Sequence, residues 1–165
     1  MVKLYRKSYE AKVLVMPLGA HAAGTLAEIA ASGVDGIMTL VPEPDAMGFF
    51  HHLAPLAISG WGEPAAGVTV ETAVERADMV VLLATDIAEV SAQTCELAAA
   101  AAAKHGTLIA ALAIGTDNWD TPEGPEAMVA MREAVDMVVL VRGLTLAAPF
   151  LDVLRGGART EALHA

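Results

Sequence analysis

Five uninterrupted apolar runs constrain this chain more than any other feature of its sequence. The runs occupy residues 12–16, 37–41, 79–84, 108–114 and 137–141, and segments of helical character lie between them at 22–32, 68–76, 87–105 and 122–134. Continuous apolar strands are typical of a parallel sheet that is covered on both faces. Strand–helix alternation therefore predicts a doubly wound, mainly parallel, Rossmann-like α/β sheet of three layers, with about five or six strands. A short additional strand is expected around residues 56–58.

The composition fits a single domain. With 165 residues, of which 55% are hydrophobic and 18% charged, the chain is long enough to bury a core and does not have the composition of a disordered protein. We predict that residues 12–155 form this domain, between an N-terminal extension over 1–11 and a flexible tail over 156–165.

Charge and cysteine content narrow the classes of partner and the compartment. The net charge of −10 argues against nucleic acid and anionic membranes. No charge-free apolar stretch approaches the roughly 20 residues of a membrane span, and charged residues interrupt residues 1–10, which does not fit a signal peptide. The lone Cys95 excludes an internal disulfide, fits a reducing compartment and is predicted to be buried in a helix, so a cytoplasmic location is expected. The basic residues near the end, Arg155 and Arg159, are predicted to be solvated.

Several segments, taken in order, resemble the N-terminal nucleotide-binding domain of the FtsZ/tubulin family. Residues 12–47 are similar to its first strand, glycine-rich first loop, first helix and second strand. Residues 56–84 resemble a loop of glycine, alanine and proline, followed by a helix and a strand that opens with Ala-Asp-Met-Val. Residues 104–118 and 134–143 resemble the last two strands. The resemblance implies an α/β fold with a ligand crevice at the carboxyl ends of the strands.

The phosphate-binding loops depart from the family's pattern. After the Ala-Asp-Met-Val strand the family has Gly-Gly-Gly-Thr-Gly-Thr-Gly, whereas residues 85–91 of this chain bring in the negative charges of Asp86 and Glu89. In the first loop Pro17 removes an N–H donor, and only Gly19 and Gly24 keep full backbone freedom. The sequence also shows no counterpart of the family's second domain, with its hydrolytic aspartates, so GTP hydrolysis is not expected.

A retained ligand site is expected where the altered loops meet at the carboxyl edge of the sheet. Its candidate residues are Gly19, Ala20, His21, Gly24, Gly60, Trp61, Gly62, Thr85, Asp86 and Asn118. Trp61, between two glycines, is expected to be a packed loop residue, a lid over the crevice or an interface anchor. Asn118 fits a base or sugar contact and fits turn capping equally well. No cofactor is predicted, and a nucleotide or small anion is the alternative.

Two further groups have suitable residue types without the geometry that their chemistry needs. The metal-like group consists of His51 and His52, with Glu43, Asp45 and His21 elsewhere in the chain. Adjacent histidines point in different directions, so no metal is predicted. The triad-like group consists of Ser91, His21 and Asp86. It lacks a nucleophile elbow, so no catalytic residue is predicted.

A scaffold that keeps its fold but loses its phosphate loops indicates a non-hydrolysing, FtsZ-like structural or regulatory protein. Such a protein acts through contacts with its own copies or with a larger protein assembly. The alternatives are a nucleotide or anion binding module and a small enzyme or enzyme subunit that reuses the crevice. The apolar segment 144–151 is expected either to fold back as a short helix or to pair with another chain. A homo-oligomer, preferably a dimer, is predicted, with interface candidates Trp61, Leu146, Phe150 and Leu151.

Overall fold

A computed structural model describes residues 10–44, 48–115, 122 and 124–156. Its strands are β1 Val13–Pro17, β2 Met38–Pro42, β3 His51–Pro55, β4 Ala65–Val68, β5 Met79–Ala84, β6 Leu108–Ile114 and β7 Met137–Val141. Its α-helices are α1 Ala20–Ala31, α2 Val70–Arg76, α3 Ala92–His105, α4 Gly124–Ala134 and α5 Ala147–Arg155. Two short 3-10 turns, Ile87–Glu89 and Leu144–Leu146, precede α3 and α5.

The strands form one seven-stranded sheet with the order β4-β3-β2-β1-β5-β6-β7. Five strands are parallel to one another: β2, β1, β5, β6 and β7. Strand β3 is antiparallel to β2, and β4 is antiparallel to β3. The predicted α/β class and three-layer architecture are confirmed. The prediction of a strand at 56–58 is wrong, because that segment lies between the two antiparallel strands β3 and β4. β4 has only four residues and contains Gly67, which lowers strand propensity.

The two faces of the sheet bury separate apolar clusters, since successive side chains of a strand point to opposite faces. In β5, Val80 and Leu82 point toward α2, α3 and α4, and Val81 and Leu83 point toward α1 and α5. The residues that α3 contributes to the first cluster all have small side chains: Cys95, Ala98, Ala101 and Ala102. This arrangement covers both faces of the parallel part, as the uninterrupted apolar runs require.

Of the two conformations predicted for the segment 144–151, a short helix that folds back or a pairing with another chain, the structure shows the first. The segment folds back as the second 3-10 turn and α5, and Ala147 and Leu151 are completely buried against the sheet and α1. Phe150 is half-buried, and Leu146 remains 55% exposed. Leu151 therefore belongs to the chain's own core and is closed to another molecule in this conformation.

Arg155, at the end of α5, was expected to be solvated, and that prediction is wrong. Its side chain is buried and forms ion pairs with Glu10 and Asp152. Its carbonyl also accepts a hydrogen bond from the N–H of Ala11 at 2.7 Å. The guanidinium is buried because two carboxylates compensate its charge. These contacts hold the end of α5 against the residues that precede β1.

Within the ranges given above, no helix is both long and apolar enough to cross a membrane.

Cys95 is predicted to resist thiol reagents in the folded protein. It is completely buried on α3, and burial raises the pKa of its thiol to about 11. At pH 8 roughly one thiol in a thousand is then ionised, whereas the thiolate is the reactive form. We expect a disulfide reagent such as DTNB to label the native protein very slowly and the urea-unfolded protein within minutes. Rapid stoichiometric labelling without urea would contradict this.

Candidate functional site

The loops that follow β1 and β5 lie together at the carboxyl edge of the sheet. Strands β1 and β5 are parallel neighbours, and the N–H of Leu18 extends their pairing by donating to the carbonyl of Leu83 at 2.8 Å. From this point the chain enters α1 on one side and the Ile87–Glu89 turn on the other. The first turn of α1 is consequently within reach of the β5–α3 loop, at the position where open α/β sheets bind ligands.

Helix α1 begins without a cap from its own sequence. Its N-cap residue is Gly19, and its first turn contains no acidic side chain. The first N–H groups of a helix have no partner within it, and they carry a partial positive charge that attracts anions. Water, an anion or an acceptor from another element can satisfy them.

Glu89 supplies that acceptor. Its Oε1 atom accepts a hydrogen bond from the N–H of His21 at 2.9 Å, and its side chain is half-buried. The carboxylate thus lies at the position that a phosphate oxygen would take at this helix terminus. A cap of this kind typically stabilises a protein by about 1 kcal/mol.

Gly19 allows Glu89 to come this close. Its φ of 108° is disfavoured for residues with a side chain, and a Cβ built on it would lie 2.6 Å from Oε1 of Glu89 and 2.9 Å from Cδ. Gly19 is therefore required both by the backbone turn and by the space that the Glu89 side chain fills.

Of the other candidate residues at this edge, His21 and Thr85 contact each other across the two loops, whereas Asp86 and Ser91 make local contacts. The Nδ1 atom of His21 lies 2.6 Å from Oγ1 of Thr85. Asp86 accepts from the N–H of Ala88, and Ser91 accepts from the N–H of Thr94 as the N-cap of α3. Asp86 and Ser91 thus cap the turns that follow them, and Thr85 is a partner of the His21 ring. The exposed Ala20 lies in the first turn of α1 beside His21.

Gly24 does not take part in this cluster. Gly24 is exposed in the second turn of α1, with no atom within 4 Å of the place where its Cβ would be. Asn118 lies outside the described residues.

Gly60, Trp61 and Gly62 do not join the site, because their loop lies at the opposite, amino edge of the sheet. Strand β3 runs antiparallel to β2, so the chain that leaves β3 emerges beside the start of β2. The indole N–H of Trp61 donates to the carbonyl of Val13, the first residue of β1, at 2.7 Å. Its ring packs against the buried cluster under α2 and α3. Of the three roles predicted for Trp61, the structure therefore shows the packed loop residue.

The two adjacent histidines of the metal-like group point away from each other. His51 is buried and His52 is exposed. Burial lowers the pKa of His51, against the raising effects of backbone acceptors and of Glu43. Glu43 itself accepts from the N–H of Gly67 on β4. In the part of the chain that the structure describes, no three His, Cys, Asp or Glu side chains gather as metal ligands.

Glu89 is the site residue that the sequence did not place. The sequence indicates that Glu89 adds negative charge to a phosphate loop, but not that its carboxylate binds α1. The available signal is a pair of features: a helix that starts at a glycine without an acidic first turn, and a glutamate in the loop after the neighbouring strand.

No protein-family model matches the chain, and no curated protein matches it. Two solved structures that match are of the translation elongation factor SelB from Methanococcus maripaludis. The apo form is 14% identical with a TM-score of 0.49, and the match covers 92% of this chain and 38% of SelB. The complex with the GTP analogue GppNHp is 12% identical with a TM-score of 0.48, covering 88% and 32%. The chain thus spans about a third of SelB, and a likeness this weak carries no argument about function.

The predicted FtsZ/tubulin resemblance is wrong. The structural matches include SelB chains and no FtsZ or tubulin chain. The topology shows one point at which the resemblance failed: it placed residues 60–62 at the carboxyl edge, whereas the antiparallel β3 brings them to the amino edge. Alternating aliphatic strands and helices are common to many doubly wound sheets, so order and spacing alone misassigned the family.

Proposed function

We propose that this chain is a non-hydrolysing protein-interaction domain. The anion position, which is the N-terminus of α1 at the carboxyl edge of the sheet, is occupied by the carboxylate of the chain's own Glu89. The observation that carries the proposal is the 2.9 Å hydrogen bond from the N–H of His21 to the Glu89 carboxylate. The domain acts through its surfaces, by contacts with its own copies or with a larger assembly.

Two physical effects oppose binding of a nucleotide at this position. A phosphate must displace Glu89 from α1, and it then meets a like charge that remains nearby. A like-charge contact at about 4 Å costs on the order of 4 kcal/mol in a partly screened setting. Asp86, in the same loop, adds a second negative charge. The same helix terminus attracts anions once Glu89 is removed, so the site is occupied from within the chain rather than lost.

The test is a ligand screen on the wild type and on Glu89→Ala. We expect millimolar phosphate, GDP, GTP and ATP to leave the melting temperature of the wild type unchanged. Removal of the Glu89 carboxylate is expected to give a saturable stabilisation by phosphate, because ligands that bind only the folded state stabilise it. The matched control is Glu96→Ala, which removes an exposed carboxylate from α3 and is expected to behave as the wild type.

Saturable binding of a nucleotide to the wild type would overturn the proposal in favour of a nucleotide-binding module. Phosphate release that scales with wild-type protein would favour an enzyme. Failure of Glu89→Ala to bind phosphate would show that Glu89 is not what closes the position.

A further inference from the structure

Strand β7 ends the sheet, and half of its backbone groups point outward. In a parallel pair, alternate residues direct both their N–H and C=O groups toward the neighbouring strand. The N–H of Gly115 donates to the carbonyl of Val141 at 3.1 Å, so the backbone N–H and C=O groups of Val141 and Val139 point toward β6. The backbone groups of Val138 and Leu140 consequently face away from the sheet. Within the described residues, no strand pairs with this outer side.

Within the described strand Met137–Val141, this edge has no charged side chain, no proline and no irregularity in its pairing with β6. Natural edge strands carry charges, prolines or bulges that block pairing with another chain. All residues of Met137–Val141 are apolar, and the side chains of Met137 and Leu140 are 41% and 57% exposed. An apolar and regular edge of this kind is a template for a further strand.

The opposite edge, β4, is protected. Its pairing with β3 has a register irregularity, and Gly67 lies in its centre. The N–H of Gly67 already donates to the carboxylate of Glu43. In the part of the sheet that the structure describes, the β7 edge is therefore the one that offers a regular row of backbone groups.

The charges that flank β7 select one partner and one register. Asp136 precedes the strand, Arg142 follows it, and both are exposed. When two copies of β7 run antiparallel about a twofold axis at Val139, Asp136 of each copy lies opposite Arg142 of the other. The same register sets Val138 opposite Leu140 of the second copy, so that outward backbone groups face each other as hydrogen-bonded pairs. Closed twofold symmetry then joins the two sheets into one.

We propose that a second copy of this chain pairs with β7 in this antiparallel register and forms a homodimer with a continuous sheet. The inference rests on the proposed function in one respect: in both, the domain acts through contacts with other protein chains. Its test involves no nucleotide, so the two can fail separately.

The first test is the molar mass measured by light scattering between about 1 and 100 μM. We expect the wild type to approach a dimer and Leu140→Lys, which places a charge on the edge, to remain a monomer. The control is Leu97→Lys, on α3, where a leucine of similar exposure (49%) lies away from β7. Circular dichroism confirms that each variant is folded. A wild type that is monomeric at 100 μM, or a dimer unchanged by Leu140→Lys, would overturn the proposal.

A charge reversal tests the register. Arg142→Asp sets two carboxylates against each other twice in the dimer, so we expect the dimer dissociation constant to rise roughly tenfold. Adding Asp136→Arg restores opposite charges and should recover most of the affinity. Since Asp136 also accepts from the N–H of Ile109 at 3.1 Å, the masses are compared well below the melting temperature of the least stable variant. If the double variant dimerises no better than Arg142→Asp, the register is wrong.

Discussion

Replacing Leu151 with alanine is expected to lower the free energy of unfolding by about 2–5 kcal/mol. Leu151 is completely buried in α5, where it packs in the cluster formed with α1 and strands of the sheet. The substitution removes the contacts of a branched side chain and leaves a cavity that close-packed neighbours fill only in part. Urea unfolding at one fixed protein concentration, followed by circular dichroism, measures the loss.

Leu146→Ala is the matched control, because the same change is made in the same segment on a side chain that is 55% exposed. We expect it to lower the free energy of unfolding by less than about 1 kcal/mol. Equal effects of the two substitutions would show that α5 does not pack on the sheet in solution. A segment held by a partner chain would instead lose stability in a manner that depends on protein concentration.

The sequence predicts the parallel part of the sheet well, for a physical reason. Strands β5, β6 and β7 lie at the residues expected, namely 79–84, 108–114 and 137–141. β5 and β6 are covered on both faces and are therefore apolar throughout, so their ends coincide with the ends of the apolar runs. The edge strand β7 is also apolar throughout, although Met137 and Leu140 are exposed. The antiparallel strands β3 and β4 have no such signal. His52 is exposed on β3, and on β4 only Val68 is buried.

The candidate site is less predictable because it depends on strand direction and loop conformation. Local sequence does not state that β3 runs antiparallel, yet that direction moves Trp61 from the carboxyl edge to the amino edge of the sheet. The hydrogen bond of Glu89 to α1 depends on the 3-10 turn that follows β5. Its charge could be read from the sequence, but its partner required the relative position of two loops that are far apart in the chain.

Gly19→Ala is expected to lower the free energy of unfolding by about 2–4 kcal/mol, from strain of about 1–3 kcal/mol and loss of a cap worth about 1 kcal/mol. The φ of Gly19 is 108°, and the three atoms nearest to an added Cβ all belong to the Glu89 side chain. The new methyl group must therefore displace Glu89 from α1, and the backbone must also leave its preferred turn. Urea unfolding of the variant measures the sum of these effects.

The same substitution at Gly24 should have the opposite sign. Gly24 lies within α1 with open space around it, so alanine there is expected to stabilise the protein by about 0.5–1 kcal/mol. Glu89→Gly then separates the two effects at Gly19, because it removes all the side-chain atoms that the methyl group meets and leaves only the backbone strain. In this double-mutant cycle, Gly19→Ala should destabilise the Glu89→Gly protein less than the wild type, by about 1 kcal/mol or more. Strict additivity of the two changes would mean that Glu89 does not occupy the N-terminus of α1. The proposal that Glu89 closes the anion position would then be wrong.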